Sequence, residues 1–241
     1  MSLEFNAIGD YARVNSANAL GDGSNPTYEG TLVGWYYHQS STAVREIMRV
    51  GGGAGTTYFR VVGSTSIEMY QGAQRATWTV AQNTWYFLYL SNSATSGNVI
   101  GRVFAASGGG EIAVASGSNT YAAGGFGTIG SICFGNDDVW GDSALALYRY
   151  ARWWRSVISQ ADALTESNFT PTSGAPASQT TLLRASWPLP DGTTTTDWVS
   201  GGTGAITINS GSTSALEPVI GATANMPHNG LIARVIRNIG A

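Results

Sequence analysis

The sequence predicts an all-β sandwich of two antiparallel sheets, and three observations carry that prediction. Charged residues make up only 11% of the 241 residues, against roughly 25% in an average globular chain. Glycine occurs 32 times, nearly twice its usual share of about 7%. Short runs rich in β-branched and aromatic residues recur between clusters of Gly, Ser, Asn and Thr, and closely spaced strands punctuated by turns form sandwiches or barrels. A chain of this length fits one such unit.

Taken in order, the strand-like runs are Thr31 to Tyr37, Val44 to Val50, Thr57 to Val62, Ile67 to Tyr70, Arg75 to Val80, Trp85 to Leu90, Asn98 to Ala105, Gly127 to Phe134 and Ser143 to Trp154. Gly63-Ser64 and Gly201-Gly202 mark turns. Later runs are Leu182 to Leu189, Ala205 to Asn209 and Leu216 to Ile220. Between the two groups, residues 170–181 (TPTSGAPASQTT) hold two prolines and almost no large apolar side chain, the composition of a surface linker. The segment beyond it is about 40 residues, near the lower limit for an independent core, so its strands are expected to complete the first sandwich. The expected organisation is one β-sandwich over residues 1–221, with the linker inside it, and a C-terminal arm over 222–241.

The stretch YARWWRSVISQADALTES, residues 150–167, carries the sharpest local signals. In a strand, Trp153 and Trp154 point to opposite faces, so one enters the core and the other covers the outside of its sheet. Ser159 followed by Asp162 forms a capping-box-like start, with the acid in the first turn where the helix dipole favours it. A short helix, Gln160 to Glu166, is expected to pack on that outer face.

A strand of this kind closing into a serine-capped turn, LYRYARWWRSVIS, resembles the closing motif of the laminin-G-like, concanavalin-A-like jelly roll, where a strand of the IDEVRIWNRALS type precedes a short acidic helix. LEFNAIGDYARV resembles that family's opening strand pair, GTLVGWYY its TISAWVY strand, NTWYFLYL its WHHVALVY strand, and TIGSICFGN the strand ending in IGN. The matches run in the family's order over residues 3–166. The resemblance implies a concanavalin-A-like jelly-roll sandwich of two antiparallel sheets, with one short helix and a C-terminal extension. The family's LYVDG hairpin has no counterpart: NVIGRVFAASGGGE stands there, without Asp-Gly. Nor does the chain contain ExDxxE, the spacing that supplies a retaining carboxylate pair in glycosidases of this fold.

Candidate sites are few. In GNDDVWGDS, residues 135–143, Asn136, Asp137, Asp138 and Asp142 are oxygen ligands of the kind calcium takes, and Trp140 is a stacking surface for a sugar ring; the plainer reading is an Asx-rich turn. His38 and His228 sit in no metal-ligand motif and are expected at surface or turn positions. No GxSxG elbow appears. RVGGGAGTT, residues 49–57, lacks the GK[ST] ending of a phosphate loop and reads as a hairpin loop. Trp35, Trp78, Trp85, Trp187 and Trp198 lie in or beside strand runs, and most are expected in the core. No catalytic residue, metal or cofactor is implied.

All 12 basic residues are arginine and the net charge is −3, too small to point to nucleic acid or an acidic membrane. Cys133 is the single cysteine, so no intrachain disulfide forms. The N-terminus MSLEFN shows neither a basic nor an apolar signal region, and no window approaches 18 apolar residues. At the other end, Leu231, Ile232, Val235, Ile236 and Ile239 fall within about 140° of one helical face, with Asn229 as cap and Pro227 as break. A helix this short needs a partner surface, either its own sandwich or a neighbouring subunit or shell protein, and these five residues are the expected assembly interface in the second case. The start LEFNAIGDY is similar to the LEFNGxxDY start of laminin-G-like proteins encoded among phage virion genes, and this resemblance, with which low charge, no cysteine pair and no catalytic constellation are compatible, implies a non-enzymatic structural protein of a tailed bacteriophage. Its expected role is capsid decoration, cement or fibre component, homo-oligomeric, bound to other virion proteins and assembled in the host cytoplasm. The alternative is a carbohydrate-binding, lectin-like module that recognises a surface glycan.

Overall fold

The computed structural model describes residues 2–5, 10–14, 29–39, 44–51, 56–93, 95–106, 109–122, 131–135, 146–168, 178, 182–187, 189, 194–195, 206–209 and 212–214. Its strands are β1 (Ser2–Phe5), β2 (Tyr11–Val14), β3 (Gly30–His38), β4 (Arg45–Gly51), β5 (Thr57–Val62), β6 (Ser66–Tyr70), β7 (Gln74–Thr79), β8 (Thr84–Asn92), β9 (Asn98–Ala105), β10 (Ser116–Gly117), β11 (Thr120–Ala122), β12 (Ser131–Gly135), β13 (Ala146–Trp154), β14 (Leu183–Trp187), β15 (Thr194–Thr195), β16 (Ile206–Asn209) and β17 (Ser212–Ser214). The helix α1 spans Gln160–Ser167.

Two antiparallel sheets form. One runs β11-β9-β8-β3-β13-β1-β17, with β14 also on β13; the other runs β10-β7-β6-β5-β4-β12-β2-β16-β15. The opening pair splits, β1 joining the first sheet and β2 the second. Strands beyond residue 181 enter both sheets: β14 pairs with β13, β17 with β1, and β16 with β2. The run Leu216 to Ile220, Trp198, His228, the arm over 222–241 and most of the 170–181 linker lie outside the described residues.

The core lies between the sheets because strand residues alternate sides. Phe59 and Val61 of β5, Ile67 and Met69 of β6, Trp78 of β7, and Ile132 and Phe134 of β12 meet Leu32, Leu88, Leu90, Val103, Tyr148 and Trp153 of the other sheet. Burying aromatic side chains of this size dominates core energetics. Gly30 and Gly101 leave room for it. A Cβ on Gly30 would fall inside the Trp153 indole, and one on Gly101 would stand 2.6 Å from Met69 Sδ.

Trp153 and Trp154 divide as strand parity requires. Trp153 is in the central core and Trp154 in a second cluster on the outside of the first sheet, with Val33, Trp35, Trp85, Phe87, Tyr89, Phe104, Ile158 and Ala163 of α1. At α1, Ser159 Oγ accepts from Asp162 N at 3.1 Å and Asp162 Oδ2 accepts from Ser159 N at 3.2 Å, a complete capping box. Thr31 pins the turn before it, donating to Ser156 O at 2.7 Å and accepting from Ile158 N at 3.1 Å.

His38 departs from expectation. It is fully buried on β3, where Tyr36 Oη lies 3.1 Å from Nδ1 and Ser64 O lies 2.9 Å from Nε2. Two polar partners make that burial tolerable, and the nearly all-apolar run around it hides which face the imidazole takes. Trp35, Trp78, Trp85 and Trp187 are buried, as expected for core residues.

Candidate ligand-binding face

The outside of the nine-stranded sheet carries a group of polar and aromatic side chains on β4, β5 and β6. Because Phe59, Val61, Ile67 and Met69 point into the core, Tyr58, Arg60, Glu68 and Tyr70 point outward. Register then aligns them. Tyr58 stands opposite Tyr70 and Arg60 opposite Glu68. On the next strand, Arg49 stands opposite Tyr58, and Glu46 opposite Arg60. The register shift between Glu46 and Met48 inserts Ile47 as an extra residue, a bulge that keeps Glu46 on the outer face while Ile47 and Met48 both enter the core. Farther along, Cys133 stands opposite both Arg49 and Arg13.

The contacts follow from this alignment. The Tyr58 and Tyr70 rings lie 5.1 Å apart with 30° between their planes. The Arg60 guanidinium stacks on Tyr70, 4.3 Å from the ring centroid. Arg60 Nε and Nη2 both reach Glu68 Oε2, at 2.8 and 2.7 Å. Glu46 and Arg49 form a further ion pair at 3.3 Å. Exposure is graded: Cys133, Arg49 and Glu68 are buried, Glu68 keeping 7% of its surface, while Tyr58, Arg60 and Tyr70 remain partly open to solvent. The accessible part of the face therefore lies on β5 and β6.

Burial shapes the electrostatics. It raises the Glu46 carboxyl to about 7, against the opposing pull of Arg49. It raises the Tyr58 phenol too, with Arg60 opposing. The Cys133 thiol is pushed up to about 12 by burial, with Glu46 adding to the effect; it stays protonated and is a poor nucleophile.

Asn136, Asp137, Asp138, Trp140 and Asp142 lie outside the described residues, as do Leu231, Ile232, Val235, Ile236 and Ile239. Among the described residues there is no group of three or more His, Cys, Asp or Glu side chains suited to a metal ion, and no helix is long and apolar enough to cross a membrane. The face on β4, β5 and β6 was not singled out from sequence. Its signal was the polar alternation of TYFRVV and SIEMY, but that pattern cannot say which residues of separate strands stand side by side.

No protein family and no curated protein matches the chain in sequence. Solved structures do match in shape. A provisionally assigned carbohydrate-binding protein from Bacteroides ovatus aligns at TM-score 0.59 and 16% identity, over 90% of this chain and 62% of that one. The heptameric SAP-like pentraxin of Limulus polyphemus aligns at TM-score 0.50 and 10% identity, over 89% of this chain and 95% of that one. The Trypanosoma rangeli sialidase aligns at TM-score 0.53 and 15% identity, over 68% of this chain but 26% of the enzyme. The chain thus spans less than two thirds of the Bacteroides protein it matches. Two antiparallel sheets, one capped helix and these likenesses define the class: an all-β jelly-roll sandwich of concanavalin-A-like type. At such identities the likeness is one of fold.

Proposed function

We propose that this chain is a non-enzymatic carbohydrate-binding module whose ligand platform is the outer face of β5 and β6. The observation that carries the reading is the partly exposed Tyr58–Tyr70 pair with Arg60 and Glu68 fixed beside it. An aromatic ring offers the apolar C–H face of a sugar a flat partner, and a small number of placed polar groups supplies orientation. The lectin-like alternative drawn from sequence is therefore preferred over a purely structural role. The Bacteroides ovatus protein is consistent with it as a provisional carbohydrate binder of the same fold. A glycan array followed by calorimetry tests the reading: wild type binds at least one glycan, and Tyr70→Ala loses binding while keeping its melting temperature within a few degrees. A Tyr70→Ala protein that binds as well as wild type removes the platform from the mechanism.

The finer reading from sequence is a structural protein of a tailed-bacteriophage virion, serving as capsid decoration, cement or fibre component. It rests on the resemblance of LEFNAIGDY to the start of laminin-G-like proteins encoded among virion genes, LYRYARWWRSVIS resembling the closing motif of the laminin-G-like fold in general, and it is compatible with glycan binding at a fibre surface. The heptameric pentraxin offers a precedent for oligomers of this fold. Removing residues 222–241 should abolish oligomerisation or particle association and leave a folded sandwich; unchanged assembly argues against an arm interface at Leu231, Ile232, Val235, Ile236 and Ile239.

A further inference from the structure

We infer that the β5–β6 platform selects neutral, polyhydroxylated sugars over acidic ones, with Glu68 accepting a hydrogen bond from a sugar hydroxyl and Arg60 acting as its positioning residue. The inference rests on the glycan-binding reading and adds to it the ligand's chemical class.

Charge pattern is the first argument. Register sets Glu46, Arg60 and Glu68 in one cross-strand row, so the arginine nearest the tyrosines has its ion-pair partner Glu68 on one side and, on the other, Glu46, whose carboxyl burial raises to about 7 so that it is only partly ionised near neutral pH. Arg49, one row over, is matched by Glu46. An anionic sugar brought to Arg60 would meet the like charge of Glu68, which already neutralises the guanidinium, and such a juxtaposition costs affinity. Acidic-ligand sites instead present a guanidinium fork free for bidentate contact, and here two of the Arg60 nitrogens are committed to Glu68.

Geometry is the second. Both Arg60 contacts fall on Glu68 Oε2, leaving Oε1 outside the ion pair. An ionised carboxylate oxygen only accepts hydrogen bonds, so its natural partner is a hydroxyl, which donates. Stacking on Tyr70 at 4.3 Å and two bonds to one oxygen hold the guanidinium in place, and through it the carboxylate. The partly exposed Tyr58 ring lies alongside, 5.1 Å from Tyr70, within reach of the same sugar ring.

The experiment uses the full chain on an array carrying neutral hexose oligosaccharides alongside sialylated and uronate-containing ones, followed by titration calorimetry on the best hits. The expected result is binding to neutral oligosaccharides, weakened about tenfold or more in Glu68→Gln and weakened as well in Arg60→Lys, which keeps the charge but not the two-donor contact. The melting temperature of each variant is recorded. Should Glu68→Gln fail to fold, Arg60→Lys and a deoxy-sugar series on wild type carry the same test, since removal of the recognised hydroxyl must reproduce the loss. Binding confined to sialylated or uronate glycans overturns the neutral class and leaves the glycan-binding reading standing. Neutral binding unaffected by these changes overturns the role of Glu68. An array with no binding at all overturns the glycan-binding reading itself and the inference with it.

Discussion

Arg152 of β13 and Glu166 of α1 form a buried ion pair, Nη1 to Oε2 at 2.8 Å, with side chains 2% and 0% exposed. Arg152 Nε also donates to Ser186 Oγ at 3.2 Å. Glu166 Oε1 accepts from both the amide and the hydroxyl of Ser178, each at 2.7 Å. This network ties α1, β13, β14 and Ser178 into one unit. An eight-residue helix is marginal alone, so its place on the sheet depends on such contacts and on Ala163 in the outer cluster. Removing one partner leaves a buried charge uncompensated. Glu166→Gln should cost about 3–5 kcal/mol, read as a fall in denaturant midpoint, and a midpoint within error of wild type would show that the pair contributes little.

Ser159 is the N-cap of the same helix. Ser159→Ala removes the acceptor for Asp162 N and should lower stability by about 0.5–2 kcal/mol. Asp162→Ala removes the reciprocal half of the box. The double variant should cost less than the sum of the two single variants, because they share one motif; strict additivity in chemical denaturation would contradict a reciprocal box.

Stability should also depend on pH through two groups of opposite sign. Burial lowers the His38 pKa, and because Ser64 O only accepts, Nε2 carries the proton and Nδ1 accepts from Tyr36. The unfolded chain therefore gains a proton first as pH falls below about 6.5, and stability present above that pH is lost toward the depressed folded value. Glu46 is raised from 4.5 to about 7, so its contribution is complete below 4.5 and lost as pH rises through 7. Each group contributes at most about 1.4 kcal/mol per pH unit, and between 4.5 and 6.5 they oppose. Glu46→Gln should consequently lose stability more steeply from pH 6.5 to 5 than wild type. Equal slopes in urea titrations would rule out the Glu46 contribution.

Gly30 faces the indole of Trp153 across the pair β3–β13. Gly30→Ala forces a methyl group into that ring, and overpacking of this kind costs about 1–3 kcal/mol or more. Gly34, on the same strand, would hold a Cβ 3.5 Å from Ala151 Cβ, an ordinary contact. Gly34→Ala should accordingly be much the milder change in a thermal melt, and the reverse order would contradict the packing around Trp153.

Calcium is not expected to contribute to stability. EDTA should leave the melting temperature unchanged, because only a ligand bound to the native state raises it by mass action. A calcium-dependent rise that disappears in Asp137→Asn with Asp138→Asn would restore the 135–143 loop as a cation site.

By itself, the sequence determined what is local. The opposed directions of Trp153 and Trp154 follow from a period of two along one strand, and the Ser159–Asp162 box from a spacing of three within one turn. The strand runs, and with them the sandwich, follow from side-chain types between turn residues. The tertiary structure decided which residues of different strands meet. Tyr58 faces Tyr70, and Arg60 faces Glu68, only because the Gly63–Thr65 turn sets the β5–β6 register, and Glu46 reaches the same row only because the bulge at Ile47 restores its face. His38 was illegible because β3 is buried on both sides and shows no alternation. Arg152 and Glu166 lie 14 residues apart in different elements, and their meeting depends on how α1 folds back onto the sheet. Short-range signals depend on backbone geometry that each residue carries with it, whereas register and docking depend on the summed packing of a core that no single stretch contains.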